Sequence, residues 1–179
     1  AALKNEYAVT DPGVALECVP SSADRAVSPE RTAVLLRALA VLPHGVEAMD
    51  TDFPGLVQTS LNMGVVRLDD AGLHVTFSIR SSIASRKEML AQRVRAAAEL
   101  AGGTVTERGV YPGWQYRRDS QFRETLLAAY KDLTGKDGVV EATHGGLECG
   151  LFMEKLPGLD AVSLGPDILD IHSVRERLG

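Results

Sequence analysis

The sequence predicts an α+β domain followed by part of an α/β segment. Three observations predict it. Two alternating runs flank a glycine turn, helical periodicities lie on either side of them, and a proline-glycine break falls near residue 112. Residues 1–111 are expected to form β-α-β-β-α-β, an antiparallel sheet with its helices on one face. Residues 112–179 are expected to form α-β-α-β with parallel strands. Parallel strands belong to sheets covered on both faces, with more strands than this segment holds, so the segment reads as partial.

The elements follow in order. Val14 to Val19 is a short strand. Ser28-Pro29-Glu30 opens a helix, with a hydroxyl N-cap, a first-turn proline and an acid at the positive dipole end. Val34, Leu35, Ala38, Leu39 and Leu42 recur at helical spacing, and Pro43-His44-Gly45 stops the helix. From Leu56 to Leu68, Val57, Thr59, Leu61, Met63 and Val65 face one way and Gln58, Ser60, Asn62 and Gly64 the other. Leu73, Val75, Phe77 and Ile79 alternate with His74, Thr76, Ser78 and Arg80.

A second helix starts at Ser85, with Glu88 completing a capping box, and ends at Gly102-Gly103. Its apolar stripe is Leu90, Val94, Ala97 and Ala101. Thr104 to Tyr111 is the last strand of the first domain. Beyond Pro112-Gly113-Trp114 come a helix over 120–134, a strand from Val139 to Thr143, a helix from Leu147 to Lys155 and a strand from Ala161 to Leu164.

Between the alternating runs, a loop Asp70-Ala71-Gly72 suits a type I turn closed by a left-handed glycine. It sets Val65 opposite Phe77, Met63 opposite Ile79, and Asn62 opposite Arg80 on the polar face. An arginine fork beside an asparagine suits a carboxylate, although charged strand residues are more often simply solvated. The turn His144-Gly145-Gly146-Leu147-Glu148-Cys149-Gly150 lies between a strand and a helix, where glycines let a ligand approach backbone N–H groups. His172 is of a type that binds metal, but zinc needs about three or four ligands, and no partner lies at ligand spacing. A thiolate at Cys149 with His144 as its base is a weaker reading, since free cysteine usually behaves as a small buried apolar group.

Composition excludes several classes. The net charge of −5 argues against a general nucleic-acid binder. No apolar run reaches membrane-spanning length, and no signal-peptide pattern opens the chain. Two cysteines, Cys18 and Cys149, make no disulfide framework, which fits a reduced, cytoplasmic setting.

Six runs carry a resemblance. They are T-S-L-N-M-G-V-V from Thr59, F-S-I-R-S from Phe77, G-V-Y-P-G-W-Q from Gly109, H-G-G-L-E-C-G-L-F from His144, V-S-L-G-P from Val162, and His172-Ser173. Together they resemble the bacterial Xaa-His (aminoacyl-histidine) dipeptidases, cocatalytic-zinc metallopeptidases allied to peptidase T and carboxypeptidase G. The resemblance implies a catalytic domain interrupted by a lid that mediates homodimerisation. Residues 1–111 would be the later part of the lid, and 112–179 the chain's return into the catalytic domain.

The resemblance further implies that Arg80 binds the terminal carboxylate of a dipeptide and that Asn62 contacts substrate nearby. Gly146 would donate from its backbone, and His172 would ligate one of two zinc ions. The general base and the remaining ligands would belong to an N-terminal half outside this sequence. The chain alone is therefore expected to be inactive and to bind zinc weakly, with Asp170 or His144 as its only further donors. One departure concerns His172. The family follows that histidine with Ser-Pro and an acid, whereas Ser173 here leads to Val174-Arg175-Glu176. The alternatives are a stand-alone dimerisation or binding module, and a fragment of a related aminoacylase or carboxypeptidase.

Overall fold

The computed structural model describes residues 2–179 and divides into two compact units, one up to Ala33 and one spanning Val34–Gly179. The boundary expected near residue 112 falls inside the second unit. In the first, a short helix α1 (Ala2–Glu6) leads into turns at Tyr7 and Asp11. Helix α2 (Pro29–Val41) starts as expected, with the Ser28 hydroxyl accepting from Arg31 N–H at 3.3 Å. The strand expected from Val14 to Val19 does not form; among the described residues the run carries no ladder.

The second unit is built on a three-stranded antiparallel sheet in the order β1 (Gly45–Met49), β2 (Val57–Asp69), β3 (Gly72–Ser81). Strand β1 has no counterpart in the sequence reading. Its run Gly45-Val46-Glu47-Ala48-Met49 is short and alternates poorly, and it pairs with β2 through two register shifts. Helix α3 (Ala84–Leu100) packs across β3 and β2. Leu90 and Val94 from its stripe join Leu61 in a buried cluster, lined by Leu42, Phe77 and Ile79. The expected layer of two helices is thus α3 on the sheet, together with Leu42, the residue after α2.

The hairpin differs from expectation in register. The strands reach Asp69 and Gly72, which pair, so only Asp70 and Ala71 lie between them. Gly72 takes φ +139°, a value that favours glycine. Asp69 Oδ1 accepts from Ala71 N–H at 2.9 Å and steadies the turn. A bulge at Gly64 then shifts the ladder again, between Met63 and Val65. The observed pairs are Met63–Phe77, Leu61–Ile79, Asn62–Ser78 and Ser60–Arg80. Strict alternation could not anticipate the bulge, which moves Val65 to the exposed face and aligns Val66 and Leu68 with Val75 and Leu73.

Helix α3 starts one residue earlier than expected, at Ala84, and the Ser85–Glu88 capping box does not form. The Ser81 hydroxyl at the end of β3 instead accepts from Ile83 N–H at 3.0 Å. The strand expected over Thr104–Tyr111 is also absent. Gly109 takes φ +61°, and Arg95–Glu107 and Lys87–Tyr111 carbonyl contacts tie this run to α3.

Helices α4 (Gln121–Thr134) and α5 (Glu148–Lys155) match the expected helices. Ser120 caps α4 by accepting from Arg123 N–H at 3.1 Å, and Gly135 closes it in the left-handed region. The parallel strands expected over Val139–Thr143 and Ala161–Leu164 carry no ladder among the described residues. A two-stranded antiparallel ribbon, β4 (Ile168–Leu169) with β5 (Arg177–Leu178), ends the described chain.

Candidate functional site

Asn62 and Arg80 share the open, polar face of the hairpin. They do not face each other directly. Each is paired with a serine, Ser78 and Ser60 respectively, which makes them diagonal neighbours. Both are exposed, and neither side chain has a hydrogen bond or ion pair among the described residues. Behind them the base of the hairpin is clamped. Thr59 and Ser81, 1% and 5% exposed, join their hydroxyls at 2.8 Å. His44 Nδ1 accepts from Met63 N–H at 3.0 Å, so an imidazole takes the place of a ladder partner beside Asn62.

Gly146 lies in the turn that enters α5. Its N–H finds no acceptor among the described residues, while the neighbouring Gly145 N–H donates to Thr143 Oγ1 at 3.1 Å. A side chain at 146 has no room, because a Cβ there would collide with the Tyr111 ring. Gly113 and Gly150 allow similar close approaches. A Cβ at Gly113 would fall 2.8 Å from the Ser82 carbonyl carbon, and one at Gly150 would fall 3.2 Å from Gly113 O. Trp114 Nε1 donates to Met153 Sδ at 3.1 Å on the same helix. The G-V-Y-P-G-W-Q run is thereby wedged between the end of β3 and α5. The sequence marked this run as a motif but gave no sign of what it packs against.

His172 occupies the turn between β4 and β5 at φ +63°, with its backbone N–H donating to Glu176 Oε2 at 2.8 Å. Glu176 thus fastens this turn in a sequence lacking the Ser-Pro continuation. Asp170, offered as a possible further donor, has Oδ2 held by Arg177 Nη1 at 2.6 Å. Among the described residues no three His, Cys, Asp or Glu side chains gather as metal ligands. This stretch alone therefore does not fit a zinc ion, and no chemical step is derived through one. Cys149 lies half-buried in the first turn of α5.

Two cavities accompany these groups. One, of about 540 Å³, is polar and is lined by Asp50, Asp52, Gln58, Ser82, Gln115 and Arg118 among others. The other, of about 280 Å³, lies between Val140–Thr143 and Ala161–Ser163, against Trp114 and Arg123. None of Asn62, Arg80, Gly146 and His172 lines either cavity. Of the four, the hairpin face brings together only Asn62 and Arg80.

Known proteins give this geometry its context. No protein-family model matches the chain. The cytosol non-specific dipeptidase of Escherichia coli (strain K12) is 34% identical over 177 residues, covering 98% of this chain. The crystal structure of aminoacylhistidine dipeptidase from Vibrio alginolyticus superposes with a TM-score of 0.85 at 32% identity, over 99% of this chain. The chain is thus similar along nearly its whole length to part of each of these dipeptidases, as the six motif runs suggested. It spans 36% of the length of each of these two relatives.

Proposed function

We propose that the chain is the C-terminal part of a dipeptidase and holds the carboxylate end of its dipeptide. The observation that carries this reading is the pair Asn62 and Arg80. They stand on one exposed sheet face with both side chains unengaged, in a chain similar to dipeptidases along nearly its whole length. The guanidinium presents paired donors to the carboxylate, and the Asn62 amide adds a neutral donor or acceptor one diagonal away. The Gly146 N–H is a third donor, for a backbone carbonyl of the substrate.

In this reading residues 1–111 belong to a lid and 112–179 to a catalytic domain, and two copies associate through the lid. The free edge of β3 supports association, because unpaired edges pair readily. His172 supplies one ligand to a pair of zinc ions, whose other ligands and general base come from residues outside this stretch. The substrates are Xaa-His dipeptides and the setting is cytoplasmic. The motif runs support the substrates, and the likeness to a cytosol dipeptidase supports the setting.

The test is hydrolysis of a dipeptide panel by the whole protein. Arg80→Ala should raise KM by about tenfold or more, the scale of one lost charge-assisted interaction. Arg80→Lys should restore little, because an ammonium cannot reproduce the fork. Dipeptide amides, which lack the carboxylate, should be insensitive to either change. Equal losses on acids and amides would sink the assignment.

A further inference from the structure

Tyr111 has no role in the reading above, yet it is the side chain that shapes the surroundings of Gly146. Its ring covers one side of the Gly146 Cα so closely that a Cβ would overlap it. The ring is itself held from α3. Lys87 Nζ lies 5.0 Å from its centroid, over the face, and donates to the Tyr111 carbonyl. Lys87 belongs to the first turn of α3, which begins four residues after Arg80. A continuous strut therefore runs from the end of β3 through Lys87 and Tyr111 to Gly146. Meanwhile the Gly146 N–H is left without a protein acceptor among the described residues.

We infer that Tyr111 is a positioning residue. Clamped by Lys87, its ring fixes the Gly146 backbone so that the free N–H is presented at a set distance from Arg80, and it walls that side of the bound dipeptide. The inference rests on the proposed function. It adds a reason why glycine is required at 146 and a means by which lid and turn keep their spacing. The ring acts through shape and its face, so the hydroxyl is dispensable.

Two measurements test it. In this chain, thermal unfolding of Gly146→Ala, Tyr111→Ala and the double variant should show coupling. The alanine at 146 is costly beside the ring and much less so once the ring is gone. In the whole protein, Tyr111→Phe keeps the ring and should change KM far less than Tyr111→Ala. Tyr111→Ala should raise KM about tenfold, the loss of one well-placed hydrogen bond, with kcat changed much less. Lys87→Met, which keeps length but not charge, should shift KM in the same direction by a smaller factor. Additive Tm changes, or a Tyr111→Ala enzyme with unchanged KM, would overturn the inference. A wild-type whole protein that cleaves no dipeptide would instead overturn the proposed function while the Tm cycle still stood.

Discussion

The joined hydroxyls of Thr59 and Ser81 bear on the proposed carboxylate site, because Arg80 is the residue just before Ser81 in β3. The perturbation is a cycle of Thr59→Val, Ser81→Ala and the double variant. Thr59→Val preserves shape but leaves the Ser81 hydroxyl without its partner at 2.8 Å, in a place only 5% exposed. An orphaned buried hydroxyl costs about 1–3 kcal/mol, partly offset here by the added methyl. Ser81→Ala does more. It strands the Thr59 hydroxyl, which keeps only a 3.4 Å contact to Gln58 Oε1, and it removes the acceptor of Ile83 N–H at 3.0 Å. We expect about 2–3 kcal/mol for it. The double variant leaves no orphaned hydroxyl, only the Ile83 N–H, so it should cost less than the sum by about 1 kcal/mol. Urea unfolding followed by circular dichroism reads all three. Additivity within about 0.3 kcal/mol would refute the reasoning, because contacting groups should couple more strongly than that.

The remaining predictions concern acid stability and close packing. The Phe122 backbone N–H at 3.0 Å and the Ser120 hydroxyl at 2.7 Å hold the Asp160 carboxyl below the ordinary aspartate value, with Arg117 and Arg123 contributing. A lowered folded-state pKa contributes stability above the unfolded-state value of about 3.9, and that contribution is lost as pH falls through the folded value. Asp160→Asn should therefore flatten the acid limb of a stability–pH curve, and an unchanged limb would count against the role. Ser120→Ala removes both the α4 cap and a partner of Asp160, and should cost about 1–2 kcal/mol in urea. Gly113→Ala places a Cβ 2.8 Å from the Ser82 carbonyl carbon and oxygen, which are backbone and cannot turn aside. It should cost more than about 1–3 kcal/mol and lower the yield of folded protein, and a wild-type Tm would refute this packing.

Local signals carried the helices well. The stripe of α3 is the core stripe, and Ser28 caps α2 as its position suggests. The hairpin was legible as a hairpin but not in register, because alternation assumes one parity along a strand and Gly64 changes it. Strand β1 was hidden by its shortness and its two shifts. The runs over 139–143 and 161–164 have strand composition, but composition supplies no partner, and a ladder needs one. In the candidate site, Asn62 and Arg80 could be placed on one face from alternation alone, since both lie on the base side of Gly64. The roles of Tyr111 and His44 depend on contacts 35 and 19 residues away along the chain, which no local pattern encodes.

The break of parity at Gly64 also divides β2 into two halves that can vary separately. On the base side, odd-numbered positions face the core and even-numbered ones carry Ser60 and Asn62. On the tip side, the even-numbered Val66 and Leu68 run with Val75 and Leu73. A tip grafted from another hairpin must therefore bring its own parity, not inherit that of the base. Deleting Gly64 would make Met63–Phe77 and Val65–Thr76 consecutive pairs, so the tip should keep its present face and only the bend of the bulge would be lost, whereas filling the bulge into a regular ladder without a deletion would turn the whole tip over.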